Sequence, residues 1–252
     1  MKQHAIDADN LHQYINDTYE QLTLSTPEPN KLILLGELLG IEESGFYRGN
    51  RYSLVLMRTV RAHNKPHYLW LILPENDETL RMVQENQVVY IEGHLIVTPS
   101  FNNRAISHTF VEPSTLLVVP ENIGITEAED FPLNYTLCNR VVLEGKVIGV
   151  PWKETIPPLN KSVTRFPMLI QVNNTIRKIY CTIWEDMNTI GPIENGMILR
   201  VLGSYTMLKK ERNLTIKDGY VTNCLKNKLD SYVVLVQQLQ EVPLEQSIFQ
   251  KN

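Results

Sequence analysis

The chain has 252 residues, of which 43% are hydrophobic and 21% charged, with 24 Lys and Arg against 28 Asp and Glu. This length fits one large domain or two domains of ~100–150 residues, and the apolar share excludes a wholly disordered chain. No apolar run approaches the ~18 residues that cross a bilayer, and we expect no signal peptide or membrane partner. The net charge of -4 argues, at face value, against nucleic acid as the partner.

The three cysteines, Cys138, Cys181 and Cys224, show no CxxC spacing. An odd number without metal-ligand spacing argues against a disulfide scaffold or a zinc site. We therefore expect buried, unpaired thiols in a cytoplasmic protein.

Residues 1–29 carry apolar side chains at helical spacing. The pattern predicts a short amphipathic helix that packs on its own chain or, less favourably, on a partner. Its apolar positions are Ile6, Leu11, Tyr14, Ile15 and Leu22.

The rest of the chain contains an internal repeat. Residues 30–41 align with residues 139–150, 109 positions later, with agreement at basic, apolar and glycine positions. The two copies are predicted to span 30–119 and 138–240, followed by a tail at 241–252, and the acidic stretch 120–137 is predicted to be a solvated linker. Further matches follow in order: 51–56 with 165–170, 68–72 with 180–184, and 85–93 with 194–203.

Each copy consists of short runs rich in Val, Ile, Leu and Tyr, separated by Gly, Asn and Pro. One helix is predicted around residues 78–85, between the third and fourth strands of the first copy. Five strands with a helix at that place, in about 90 residues, are typical of an OB fold. Duplicated βαβ units would need long helices between strands, which the pattern lacks. The predicted fold is mainly β: two tandem OB-fold barrels with a short N-terminal helix.

Copy one resembles the bacterial single-stranded DNA-binding protein (SSB) family in three stretches, 30–38, 68–73 and 87–95. Copy two resembles it more weakly, and 139–145 is also similar to the primosomal OB relative. The resemblance implies sequence-tolerant binding of single-stranded DNA in replication, recombination or repair. It also implies four OB units in the working assembly, hence a homodimer of this two-barrel chain. The family usually ends in an acidic tip that terminates in phenylalanine and recruits other proteins. At 246–252 this sequence has Ile248 and Phe249 but Lys251 in place of the acidic run, so recruitment of partner proteins through the tail is not implied.

Single-stranded nucleic acid is held by aromatic faces that stack on bases and by cations that follow phosphates. Strand alternation places Tyr68 and Trp70 of copy one, and Tyr180 and Trp184 of copy two, on the outward face of the third strand. Outward aromatic residues suit base stacking, and they equally suit packing against a partner subunit.

The cations are concentrated in copy two, which has 14 Lys and Arg against 8 acids, whereas copy one has 8 against 9. Many of them fall in expected loops beside aromatic residues, which is the combination that single-strand binding requires. The candidate nucleic-acid-binding residues are Tyr47, Arg48, Arg58, Arg61, Tyr68, Trp70, Phe101, Arg104, Trp152, Lys153, Arg165, Arg177, Lys178, Tyr180, Trp184, Lys209, Lys210 and Arg212.

The sequence contains no P-loop, GxSxG, HExxH or paired CxxC motif, so we expect neither an enzyme nor a cofactor. His63 and His67 flank a predicted turn, where their spacing makes no metal-ligand pair. A competing hypothesis is a protein-interaction adaptor of a replication or DNA-transfer complex, with the N-terminal helix and Ile248–Phe249 as contacts. RNA remains an alternative to DNA, because base stacking does not distinguish ribose from deoxyribose.

Overall fold

The computed structural model describes residues 2–3, 13, 17, 20–47, 50–61, 65–97, 116–126, 139–157, 159–172, 175–208, 215–223 and 231–251. In the first half of the chain the strands are β1 (Lys2–Gln3), β2 (Lys31–Tyr47), β3 (Asn50–Arg61), β4 (Lys65–Pro74), β5 (Val88–Val97) and β6 (Leu116–Thr126). The second half contributes β7 (Asn139–Val147), β8 (Trp152–Ile156), β9 (Lys161–Val172), β10 (Thr175–Trp184), β11 (Ile198–Leu208), β12 (Thr215–Lys217), β13 (Tyr220–Asn223) and β14 (Ser231–Glu241).

The first barrel closes through five strands. Strand β2 pairs with β3 and β5, β3 pairs with β4, and β5 pairs with β6, all antiparallel. A parallel contact between β4 and β6, at Leu71 and Val118, completes the ring. This pairing order is that of an OB fold. Strand β6 continues to Thr126, so the first part of the predicted linker is a strand, and 127–138 lie outside the described residues.

Helix α1 (Asp77–Gln84) connects β4 to β5 and confirms the helix predicted from the sequence. It begins at Asn76, whose side-chain oxygen accepts a hydrogen bond from the amide of Thr79 at 2.8 Å. Its buried face presents Met82 and Val83 to the barrel.

The second barrel repeats the same pairing order. Strand β7 pairs with β9 and β11, β9 with β10, and β11 with β14, while β10 and β14 are parallel. Strand β8 adds a hairpin to β9, and β12 and β13 form a second hairpin. In place of α1 the chain forms a 3-10 turn at Glu185–Met187 followed by irregular backbone. The predicted mainly β, OB-type architecture is thus confirmed.

The two barrels are joined edge to edge by antiparallel pairing of β2 with β7. Leu32 lies opposite Val141, its own counterpart in the repeat, so a local two-fold axis passes through this pair. A two-fold axis relates identical patches on two subunits of a dimer, and here it relates the two halves of one chain. The flanking pairs are images of each other: Lys31 with Val142, and Ile33 with Arg140.

Matching contacts repeat on both sides of this axis. The side chain of Asn30 donates to the carbonyl of Leu95 (2.9 Å) and accepts from its amide (3.0 Å). Asn139 makes the same two hydrogen bonds with the backbone of Tyr205. The two Asn side chains therefore fix the start of each barrel's first strand to its fourth strand.

The two glycines predicted as equivalent, Gly93 and Gly203, both occupy a β-bulge. A Cβ atom at either would lie 2.2 Å from a carbonyl oxygen of the neighbouring strand, Val119 or Leu235. Only glycine fits such a close approach between backbones.

The third strands align differently from the sequence comparison, which matched Tyr68 with Tyr180. With the bulge glycines as reference, Leu71 and Cys181 pair with equivalent positions of the last strand, so Trp70 is the counterpart of Tyr180. The sequence alignment is two residues out, a slip that strand alternation hides because it keeps every side chain on its face.

A buried ion pair holds residues from both ends of the chain on the outer face of the joined sheet. Arg200 contacts Glu144 at 2.7 Å, and the side chain of Glu144 is fully buried. Arg200 also donates to the carbonyls of Leu24 and Thr26, both at 3.0 Å. On the other side, Glu144 accepts from the Ser247 hydroxyl at 2.8 Å and from the amide of residue 248 at 2.9 Å. All four partners satisfy charges that would be costly to bury alone.

The N-terminal helix falls largely outside the described residues, including its predicted apolar positions Ile6, Leu11, Tyr14 and Ile15. Gln13, Asp17, Glu20 and Gln21 are helical. Leu22, the last predicted apolar position, is buried against the joined sheet in a cluster with Ile33, Leu35, Val88, Tyr90, Val142 and Leu202.

Within the described residues, no helix is long and apolar enough to cross a membrane. Cys181 is fully buried, as expected, and burial raises the pKa of its thiol. Cys138 and Cys224 lie outside the described residues.

Candidate nucleic-acid interface

The outer surface of β8, β9 and β10 carries five of the ten candidate residues whose side chains the structure describes. Residues directly opposite in paired strands share a face. Trp152 lies opposite Arg165, which lies opposite Thr182 on β10. Strand alternation puts Lys178, Tyr180 and Trp184 on the same side as Thr182. We call the set Trp152, Arg165, Lys178, Tyr180 and Trp184 the aromatic face.

The rings of this face are partly open to solvent, with Tyr180 and Trp184 half-buried, and cations lie beside them. Trp152 is 42% exposed and meets Tyr180 edge to face, with ring centroids 6.3 Å apart. Lys178 Nζ lies 4.8 Å from the centre of the Tyr180 ring, and Lys161 Nζ lies 5.9 Å from that of Trp184. Cations over aromatic rings hold charge beside the surfaces on which bases could stack.

Carboxylates neutralise part of this charge. Lys153 Nζ contacts Glu185 at 2.8 Å, Lys161 contacts Asp186 at 3.5 Å, and Arg165 contacts Glu154 at 2.8 Å. A phosphate that approached these cations would compete with the carboxylates. Exposed pairs of this kind are worth ~0–1 kcal/mol, so the exchange is accessible.

Glu185 is the best-held of these carboxylates. It accepts hydrogen bonds from Lys153 and from the Thr164 hydroxyl. These hydrogen bonds, that from Lys153 first, hold the pKa of Glu185 below its ordinary value, so the group is ionised at neutral pH.

The equivalent surface of barrel one is closed, which corrects the expectation of an exposed aromatic row there. Trp70 is 1% exposed, and its neighbour on the same face, Ile72, is equally buried. The residues opposite them on β3, Leu56 and Leu54, are buried as well. The outward side of this strand pair is thus an apolar surface covered within the chain, and Trp70 is not placed to stack on a base.

The hairpin of β12 and β13 explains part of how the barrels fit together. The amide of Ile41 on β2 donates to the carbonyl of Gly219 at 2.7 Å, and Tyr220 pairs with Ile41. A Cβ atom on Gly40 would lie 2.9 Å from the side chain of Val221. The turn end of this hairpin therefore packs on barrel one.

The remaining candidates are dispersed or fall outside the described residues. Tyr68 is half-buried and Arg58 pairs with Glu37. Arg177 is half-buried, alternates to the other side of β10 from the aromatic face, and donates to the carbonyl of residue 176. Tyr47 and Arg61 lie at strand ends, with side chains outside the described part. Arg48, Phe101, Arg104, Lys209, Lys210 and Arg212 lie outside it entirely.

Sequence reasoning missed the partners that shape this site. Lys161, Thr164 and Glu154 were not among the candidates. The adjacent opposite charges of Lys153 and Glu154 in β8 were the one signal in the sequence that indicated ion pairs at this place. Among the described residues, no group of three His, Cys, Asp or Glu side chains could hold a metal ion. His63 lies outside them.

No protein-family model matches the sequence, and no curated protein matches it. Among solved structures, the chain is similar to the single-stranded DNA binding protein from Thermus aquaticus, at 15% identity and a TM-score of 0.51, covering 85% of this chain and 93% of that one. Coverage this high extends into both barrels.

Two further likenesses have lower TM-scores. The N-terminal domain of the PriB protein from Thermoanaerobacter tencongensis is 15% identical, with a TM-score of 0.29, and the match covers 42% of this chain and 97% of that one. A replication protein A heterotrimer bound to ssDNA is 15% identical, with a TM-score of 0.23, and the match covers 72% of this chain and 46% of that one. At this identity the first likeness shows a shared fold, and the other two add nothing to it.

Proposed function

We propose that this chain is a non-catalytic, SSB-like protein that binds single-stranded DNA in the cytoplasm through the aromatic face of barrel two. One observation carries the proposal: exposed Trp152 and half-buried Tyr180 and Trp184 lie on one surface of an OB barrel with Lys or Arg beside each. Stacking supplies ~1–3 kcal/mol per base, and the cations supply phosphate contacts. The fold shared with a single-stranded DNA binding protein supports it.

The two barrels have different roles in this proposal. In the part of barrel one that the structure describes, Trp70 is buried and Arg58 is paired with Glu37, so barrel two is the binding half in this proposal and barrel one its support. A strand would then cover about one OB-fold site, ~4–16 nucleotides. In replication, recombination or repair, such a protein protects exposed strands without reading their sequence.

The test is a fluorescence titration with oligo(dT) of about 16 nucleotides at several salt concentrations. Binding should quench Trp152 and Trp184, and affinity should fall with salt at a slope of about -0.7 per phosphate contacted. Absence of binding below about 100 μM at about 50 mM salt would refute the proposal. Oligo(U) in the same assay decides between DNA and RNA.

A homodimer of two-barrel chains remains a prediction, and sedimentation analysis with and without oligo(dT) tests it. The adaptor hypothesis stays as the alternative. Its tail contact is engaged within the chain, because the amide of Ile248 is bound to Glu144 and Phe249 is partly buried. Co-purification of a replication protein that survives nuclease treatment would favour the adaptor.

A further inference from the structure

A cavity of about 420 Å³ lies where barrel two lacks a helix. Barrel one fills the corresponding connection with α1. In barrel two the chain between β10 and β11 passes through the 3-10 turn and an irregular segment that forms one wall. The volume lies within the ~300–1,000 Å³ of small-molecule sites. Pro151, Pro192 and Ile193 supply apolar lining, and Lys153, Thr164 and Glu185 supply polar lining.

The polar lining has unused hydrogen-bonding capacity. A carboxylate offers about four acceptor positions, and Glu185 uses one on each oxygen, for Thr164 and Lys153. The Lys153 ammonium has three donors and gives one to Glu185. The pair therefore presents a donor beside two adjacent acceptors. The amide of Asn188, by contrast, is committed to its own loop, since it donates to Gly191 at 2.7 Å.

We propose that this cavity takes a guanine base, with N1–H and N2–H donating to Glu185 and O6 accepting from Lys153. Guanine alone among the DNA bases has two adjacent donors beside an acceptor on its Watson–Crick edge. The apolar lining faces the ring. Lys153 and Glu185 directly follow Trp152 and Trp184 in the sequence. Strand alternation turns Lys153 to the other side of β8 from Trp152, so a bound strand would reach the cavity around the strand ends from the aromatic face. If the guanine belongs to a bound strand, this inference rests on the proposed function. A free guanine nucleotide would make the same hydrogen bonds.

The experiment uses the full chain with two isosteric variants. Glu185→Gln replaces one acceptor by a donor and should abolish the preference for guanine. Asp186→Asn is the matched control, because it removes the same charge from the adjacent residue, which pairs with Lys161 outside the cavity lining. Both variants can raise overall affinity by freeing a lysine, so the readout is the ratio between bases, after circular dichroism has shown that they fold.

One arm titrates dGMP against dAMP, dCMP and dTMP, monitored by ligand NMR. The other compares oligo(dT) with the same oligonucleotide carrying one dG. In the wild type and in Asp186→Asn, guanine should bind at least about tenfold more tightly, and in Glu185→Gln the four bases should bind alike.

Equal binding of all four bases to the wild type, or a preference that survives Glu185→Gln, would overturn the inference. If oligo(dT) binds, but dGMP binds no more tightly than the other nucleotides and one dG in the oligonucleotide does not raise its affinity, the guanine site is refuted while the proposed function stands. If dGMP alone binds with the expected preference, the site stands and the proposed function fails.

Discussion

The aromatic pair Trp152 and Tyr180 gives the sharpest test of the proposal that barrel two binds single-stranded DNA. Each ring that stacks on a base should contribute ~1–3 kcal/mol, so Trp152→Ala and Tyr180→Ala should each weaken oligo(dT) binding by about 5- to 150-fold. The two rings touch edge to face at 6.3 Å, a contact worth ~0.5–1.5 kcal/mol in such pairs. Each ring therefore supports the other, and the double variant should lose less than the sum of the two single losses.

Trp70→Phe is the internal control, because it changes the corresponding position of the other barrel. Trp70 is buried, so the smaller ring leaves a void and should lower the free energy of unfolding by about 1–3 kcal/mol. Oligo(dT) affinity should stay unchanged. Fluorescence anisotropy of labelled oligo(dT) gives the affinities, and urea denaturation gives the stabilities.

Two results would contradict this reasoning. Wild-type affinity in Tyr180→Ala would remove barrel two as the stacking surface. Weakened binding in Trp70→Phe at unchanged stability would show that the barrel-one surface opens to the strand.

Four further predictions concern charge and packing. Glu185→Gln frees Lys153, so binding to oligo(dT) should tighten and its salt slope should steepen by about 0.7; an unchanged slope would show that this lysine meets no phosphate. Because the folded-state pKa of Glu185 lies below its ordinary value of 4.5, its stabilising contribution is present above that value. It is lost as pH falls through the lower folded-state value, so the wild type should lose Tm relative to Glu185→Gln in acid. Gly203→Ala brings a Cβ atom within 2.2 Å of a backbone oxygen and should cost at least about 1–3 kcal/mol, seen as a lower Tm; unchanged stability would mean that the bulge relaxes. Arg200→Met leaves Glu144 charged and buried and should cost about 3–5 kcal/mol in urea denaturation.

A double variant separates charge from packing in the last case. The counterparts of Glu144 and Arg200 in barrel one are Leu35 and Tyr90, so the chain already contains an apolar version of this site. Glu144→Leu with Arg200→Tyr should recover most of the lost stability, because a well-packed apolar pair often replaces a buried ion pair without cost. A double variant no more stable than Arg200→Met would contradict this.

The strand order and the helix α1 could be predicted because they depend on local patterns. Hydrophobic alternation, the bulge glycines Gly93 and Gly203, and the repeated Asn30 and Asn139 recur in both copies. The register of the third strand could not be predicted, since a shift of two residues leaves every side chain on the same face.

The state of Trp70 was also beyond the sequence. Alternation predicts which side of its own barrel a residue points to, and Trp70 does point outward. Alternation carries no information on whether another part of the chain covers that outer side. The same limit applies to Lys153 and Glu185, whose contact joins residues 32 positions apart.

The local two-fold axis through Leu32 and Val141 has a consequence for how this molecule can change. In a dimer of identical subunits every substitution occurs twice, so a surface cannot be optimised on one side without altering the other. Here the two sides are encoded separately. One could become an apolar support around Trp70 while the other kept its rings and cations in solvent, and the β2–β7 junction stayed nearly symmetric. A single chain of this kind can specialise its halves where a symmetric assembly cannot.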